Sequence, residues 1–140
     1  MQRILAIDYG AKRIGLALSD PLGYTSQPLP FFLNSSFSKL VEYLNQLILN
    51  KSIDLIVVGL PKSLDGTLGE RALEIVRISE KIQEKCKVSV ELYDERFTTR
   101  EAEDFLIDEL NMSRKKRKQY IDSLSACYLL ESYKKSKEFR

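Results

Sequence analysis

The stretch Asp54-Leu55-Ile56-Val57-Val58-Gly59 limits the possible folds more than any other part of the chain. Its apolar side chains fall on even and odd positions alike, and three of them are β-branched, so it suits a strand covered on both faces. Such a strand needs helices above and below its sheet. Helical patterns flank it. Phe37, Leu40, Val41, Leu44, Leu47 and Ile48 have helical spacing before it. After it, Leu60-Pro61 stops the strand and Leu64-Asp65-Gly66-Thr67 makes a loop. Thr67 and Glu70 then have capping-box spacing for a helix that continues through Leu73, Val76, Ile78 and Ile82.

The residues before this unit read as three strands. Arg3 to Tyr9 is a mostly apolar run that meets a turn at Gly10. Ile14, Leu16 and Leu18 alternate with Gly15, Ala17 and Ser19. A third strand, about Thr25 to Leu33, carries Pro28 and Pro30, whose missing N–H groups restrict it to a sheet edge. Beyond the second helix, Val88, Val90 and Leu92 alternate with polar residues and predict a strand with one covered face. Thr98 and Glu101 repeat the capping-box spacing and open a helix to about Leu110, and a last helix is expected from about Gln119 to Lys135. Right-handed crossovers set the fourth and fifth strands parallel to the first, which becomes central, with helices on both faces. At 140 residues, one α/β domain spanning 1–140 is expected.

Composition bears mainly on chemistry. Histidine is absent, which removes the commonest general base, the commonest zinc ligand and every Ser-His or Cys-His pair. Cys86 and Cys127 lie far apart in apolar helical stretches and read as buried hydrophobes in a reducing, cytoplasmic setting. No apolar run is long enough to cross a membrane, and the short one after Arg3 is no signal peptide. The net charge of +2 is uneven: residues 71–112 carry seven basic and eleven acidic side chains, residues 113–140 nine and three. The last block includes Arg114-Lys115-Lys116-Arg117-Lys118, which is either a solvated loop or a phosphate-binding run.

Three acidic positions stand out. Asp8 ends the first strand, Asp94-Glu95-Arg96 ends the fifth, and Asp122 stands in the first turn of the expected last helix. In open α/β sheets, ligands bind beyond the carboxyl ends of parallel strands. Each acid also has an ordinary explanation: a turn residue, a helix cap, a favourable partner for a helix dipole. Together they make an all-oxygen donor set suited to Mg²⁺ or Mn²⁺. Lys12, Arg13, Arg96 and Arg100 nearby suit a phosphodiester.

The segments Asp8-Tyr-Gly-Ala-Lys-Arg-Ile-Gly15, Val58-Gly-Leu-Pro61 with Asp65-Gly-Thr67, Asp94-Glu-Arg-Phe-Thr-Thr99, and Asp122-Ser-Leu-Ser-Ala126 with Leu130-Glu-Ser-Tyr133 resemble, in order and spacing, the YqgF/RuvX family. The resemblance runs nearly end to end. It implies a ribonuclease H-like fold with strand order 3-2-1-4-5. It also implies a metal-dependent nuclease, described as a pre-16S rRNA nuclease and as Holliday-junction-resolvase-like. Its acidic site falls on Asp8, Glu95 and Asp122, which would be both catalytic residues and metal ligands. Leu64 stands where the family often has methionine, and Phe97 sits inside the Asp-Glu-Arg motif; neither is a proposed ligand.

Nucleic-acid contacts are expected from Lys12, Arg13, Lys62, Arg96, Arg114, Lys115, Lys116, Arg117 and Lys118. The expected partner is structured nucleic acid, foremost precursor 16S rRNA during 5′-end processing in ribosome biogenesis. A Holliday-junction-type DNA resolvase and a non-catalytic binding or assembly factor are the alternatives. A nucleotide cofactor is not expected, because kinases that share this opening hairpin close two such subdomains around ATP and this chain has length for one.

Overall fold

A computed structural model describes residues 2–22, 25–63, 65–94 and 114–138; in the final helix it describes the side chains of Tyr120 and of Ser123 to Lys137. Five strands, β1 (Ile4–Tyr9), β2 (Arg13–Ser19), β3 (Ser26–Leu33), β4 (Leu55–Leu60) and β5 (Ser89–Asp94), form one sheet in the order β3-β2-β1-β4-β5. β1 pairs antiparallel with β2 and parallel with β4, and β4 pairs parallel with β5. The Pro-bearing β3 lies at an edge, as its missing donors require. The order is that of the ribonuclease H-like fold.

Helices α1 (Phe37–Lys51) and α2 (Glu70–Cys86) cover one face of the sheet. Leu5, Ile7, Ile14, Leu16, Ile56 and Val58 meet Leu40, Leu44, Ile75 and Ile82 there. The opposite face carries α3 (Arg114–Glu138), where Ile4, Ala6, Ala17, Leu55 and Val57 meet Leu124, Cys127, Leu130 and Tyr133. β4 contributes to both clusters, which is why Leu55 to Val58 must be apolar throughout. β5 is less covered than its alternation predicts, since Leu92 is 39% exposed.

Two boundaries differ from expectation. Thr67 does not cap α2: its backbone N–H and its hydroxyl both donate to Asp65 Oδ1, at 3.0 and 2.8 Å, and the N-cap is Gly69. The last helix begins at Arg114 and not near Gln119, so the basic run is its first turn and not a loop. Lys and Arg are good helix formers and no breaker separates them from Gln119. Asp122 consequently lies in the third turn, beyond the reach of a terminal dipole. The expected helix from Thr98 to Leu110 lies outside the described residues.

Candidate active site

Asp8 is the fifth residue of β1, next to its carboxyl end, and pairs with Gly15 of β2. On β1, Leu5 and Ile7 face α1 and α2 while Ile4 and Ala6 face α3, so alternation turns Asp8 to the α3 face. Gly15 lies between Ile14 and Leu16, and Gly59 between Val58 and Leu60; all four flanking residues face α1 and α2. Both glycines therefore occupy α3-side positions. Because Ile7 pairs with Val58, Gly59 follows in step with Asp8. Asp8 thus stands between two strand positions that raise no side chain. Beyond Gly59, its β5 partner Tyr93 is the next side chain on that face.

The turn that leaves Asp8 is held from two sides. A Cβ on Gly10 would lie 2.2 Å from the Arg13 carbonyl oxygen, so only glycine permits this hairpin. Asn34, just after β3, donates through Nδ2 to the Gly10 carbonyl at 2.9 Å and through its backbone N–H to the Lys12 carbonyl at 2.9 Å. The Tyr9 hydroxyl donates to Asn34 Oδ1 at 3.2 Å. From α2, Arg71 donates to the Tyr9 carbonyl at 2.6 Å, with its guanidinium 5.7 Å from the Tyr9 ring. Lys12 is exposed in this turn, and Arg13 opens β2 with its guanidinium 5.5 Å from the Phe31 ring. Lys62 lies two residues past β4, at the same end of the sheet.

α3 is aligned by polar contacts to the sheet. The Ser123 hydroxyl is fully buried; it accepts from the Leu16 N–H at 3.0 Å and donates to the Leu29 carbonyl at 2.5 Å. The β2–β3 register shifts between Ile14 and Leu16, and Ser123 serves the backbone groups beside that irregularity. Further along, Ser26 donates to Glu131 at 2.5 Å, and the Tyr133 hydroxyl donates to Glu91. Ser123 beside Leu29 and Glu131 beside Ser26 set α3 antiparallel to β3. At about 1.5 Å per residue, Arg114 lies roughly 13 Å back from Ser123, toward the Asp8 end of the sheet. The basic run and Asp8 therefore share one end of the fold.

Of the predicted acidic trio, Asp8 is described with its side chain, and Asp122 is placed by backbone alone, one residue before Ser123. Glu95 follows directly on β5 and, with Arg96, lies outside the described residues. Side chains of Arg114, Lys115, Lys116, Arg117 and Lys118 also lie outside them. Among the described residues, no three His, Cys, Asp or Glu side chains form a metal-binding group. The donor chemistry nonetheless fits a hard divalent ion, since Asp8 offers carboxylate oxygens beside two strand positions that raise no side chain. On the same face, burial, reinforced by Glu131 and opposed by Lys134, pushes the Cys127 thiol up to about 12.

Arg71, Asn34 and Ser123 were not anticipated. Each acts through a partner 24 or more positions away, so no local pattern marks it. Gly15 and Gly59 did carry a signal, since glycine inside a strand often marks a close approach.

Comparison with known proteins agrees with this architecture. A family model described as RuvX, Holliday junction resolvase, matches residues 2–136. A relative from Sulfurihydrogenibium sp., named "Putative pre-16S rRNA nuclease", is 44% identical over 135 residues, covering 95% of this chain and 90% of its own. One from Lachnospira eligens with the same name is 40% identical over 139 residues, covering 97% and 99%. Among solved structures, RuvC of Thermus thermophilus in complex with a Holliday junction substrate superposes with a TM-score of 0.62 at 13% identity, covering 97% of this chain and 96% of that one. The fowlpox virus resolvase in complex with Holliday junction DNA gives 0.62 at 12% identity, covering 96% and 98%. At those identities the structures speak for the fold alone, whereas the family match and the curated relatives span almost the whole sequence: this chain belongs to the RuvX family.

Proposed function

We propose that this protein is a metal-dependent nuclease that hydrolyses phosphodiester bonds in structured nucleic acid, with precursor 16S rRNA, at its 5′ end, as the substrate. The observation that carries this reading is Asp8 between Gly15 and Gly59, at the end of the sheet where Lys12, Arg13, Lys62 and the start of α3 converge. Asp8, Glu95 and Asp122 hold Mg²⁺ or Mn²⁺. When bound, the ion would lower the pKa of the attacking water and stabilise the leaving oxygen, so that no histidine base is needed.

The remaining residues bind and orient. Arg13 and Arg96 take the phosphates flanking the scissile bond, Arg through paired donors. Lys12 and Lys62 add positive potential beside Asp8. Arg114 to Lys118 extend the footprint along the backbone with no sequence preference. Asn34 and Arg71 keep the Tyr9–Arg13 turn in place, so Asp8 and the cations hold a fixed relation. Two buried free cysteines support a reducing compartment, the cytoplasm, as the place of work.

The description of the matching family as a Holliday junction resolvase favours a second reading, cleavage of four-way DNA. Offering precursor 16S rRNA and a four-way DNA junction side by side, with Mg²⁺, Mn²⁺ or chelator, separates the two. Metal-dependent cleavage of the RNA at its 5′ end supports the first reading. Cleavage confined to the junction replaces it with the second, and no cleavage of either leaves a binding or assembly factor.

A further inference from the structure

Phe31 and Phe32 are neighbours on β3 with opposite roles. Phe32 turns into the cluster under α1 and stacks on Tyr43, ring centroids 4.9 Å apart. Phe31 faces the other way, joins neither apolar cluster among the described residues, and is partly exposed. Its ring meets the Arg13 guanidinium, 5.5 Å from the centroid. An aromatic ring at an edge could serve strand addition by a partner protein, but Pro28 and Pro30 on either side of Leu29 remove the donors such a ladder needs. The position has a different neighbourhood. Phe31, Arg13 and Asp8 all lie on the α3 face, on three successive strands. Strands are about 4.8 Å apart, so Phe31 is roughly 10 Å from the Asp8 strand, a distance of about three stacked nucleotides.

We infer that Phe31 is a stacking platform for one unpaired base of the substrate, close to the scissile bond, which makes this protein select single-stranded segments over continuous duplex. The inference deepens the nuclease reading and rests on it. A base replaces the guanidinium over the ring, and Arg13 turns its donors to that nucleotide's phosphate. A stacked base is worth a factor of about 5 to 150 in affinity. A duplex cannot use the platform, because its bases are already stacked and lie inside it.

The test uses the full chain and two probes of one sequence, a single-stranded RNA oligonucleotide and its blunt duplex. The chain has no tryptophan, so Phe31→Trp places a lone fluorophore at the platform. Saturating single-stranded RNA is expected to quench the indole emission of that variant, and duplex to leave it unchanged. Phe31→Ala is expected to weaken single-strand binding about 5-fold or more, with duplex affinity the same as wild type. Single-strand affinity unchanged in Phe31→Ala, or Phe31→Trp emission unmoved by a saturating single strand, overturns the inference. So does wild-type protein that binds neither probe. If the oligonucleotide binds and quenches yet nothing is cleaved with either metal, the nuclease reading fails and the platform stands.

Discussion

At the amino end of β1 the polar groups close against one another. Arg3 donates through Nε to the Ser19 carbonyl at 3.0 Å and through a terminal nitrogen to the Lys51 carbonyl at 3.0 Å. Its backbone N–H meets Asp54 at 2.9 Å, and the Ile4 N–H meets the Ser19 hydroxyl at 2.8 Å. The carboxyl end of the same strand is built differently. Asp8 has glycines beside it, Gly10 makes a turn that no other residue permits, and an exposed hairpin carries Lys12 and Arg13. One strand thus ends in polar groups that join β1, β2, α1 and the residue before β4, and in an acid flanked by two glycine positions beside a hairpin that carries Lys12 and Arg13. The difference sets charges that hold the fold apart from charges that we propose meet a ligand, and composition alone cannot make that distinction.

The sharpest way to break the comparison is to neutralise one acid at each end. Asp8→Asn keeps the size and removes ligand charge, so cleavage is expected to fall by more than about 100-fold while nucleic-acid binding persists. Asp54→Asn is expected to cost about 1 kcal/mol of stability in chemical denaturation and leave cleavage rates intact. Equal losses of activity in the two variants would erase the distinction between the ends. Filling the space beside Asp8 is the next test. Gly59→Val is expected to reduce cleavage about 10-fold or more, with the circular dichroism spectrum of the folded chain retained. Wild-type activity in that variant would show that the space is not used.

Ser123→Ala tests how the α3 face is aligned. It leaves the Leu16 N–H and the Leu29 carbonyl without their hydroxyl partner, which is expected to cost about 1–3 kcal/mol in urea unfolding. The effect confined to alkaline pH concerns the sealed part of that face. Burial holds the Cys127 thiol up to about 12 in the folded chain, against an ordinary value of 9.0. Above about pH 9 the unfolded chain releases this proton and the folded chain keeps it. Stability therefore falls as pH rises between those values, by at most about 1.4 kcal/mol per pH unit. Cys127→Ala is expected to flatten that alkaline slope and leave stability below pH 9 without this dependence, as read from denaturation midpoints against pH.

Much of the fold was legible because its signals are local. The apolar run of β4, the alternation of β2, and Pro28 with Pro30 at the edge each state a burial pattern within a few residues. The end of the sheet that carries Asp8 followed from the same patterns, whereas its face came from the two apolar clusters. What was not legible depends on contacts between distant positions. Thr67 has cap spacing, but Asp65 two residues away takes its hydroxyl. The basic run looked like a break before the last helix, yet its helix propensity continues the helix to Arg114. Ser123 reads as an ordinary helix residue until the β2–β3 register shift, 94 to 107 positions away in sequence, gives its hydroxyl two partners. Arg71 reads as a solvated helix cation, and only the fold brings it to the Tyr9 carbonyl.

Mn²⁺ binding to the full chain, followed by electron paramagnetic resonance in the absence of nucleic acid, tests the central claim most directly, because it reads the carboxyl end of β1 without depending on a substrate. Wild type and Asp54→Asn are expected to bind the ion alike, and Asp8→Asn to lose affinity about 10-fold or more. Mn²⁺ affinity unchanged by Asp8→Asn would contradict that claim.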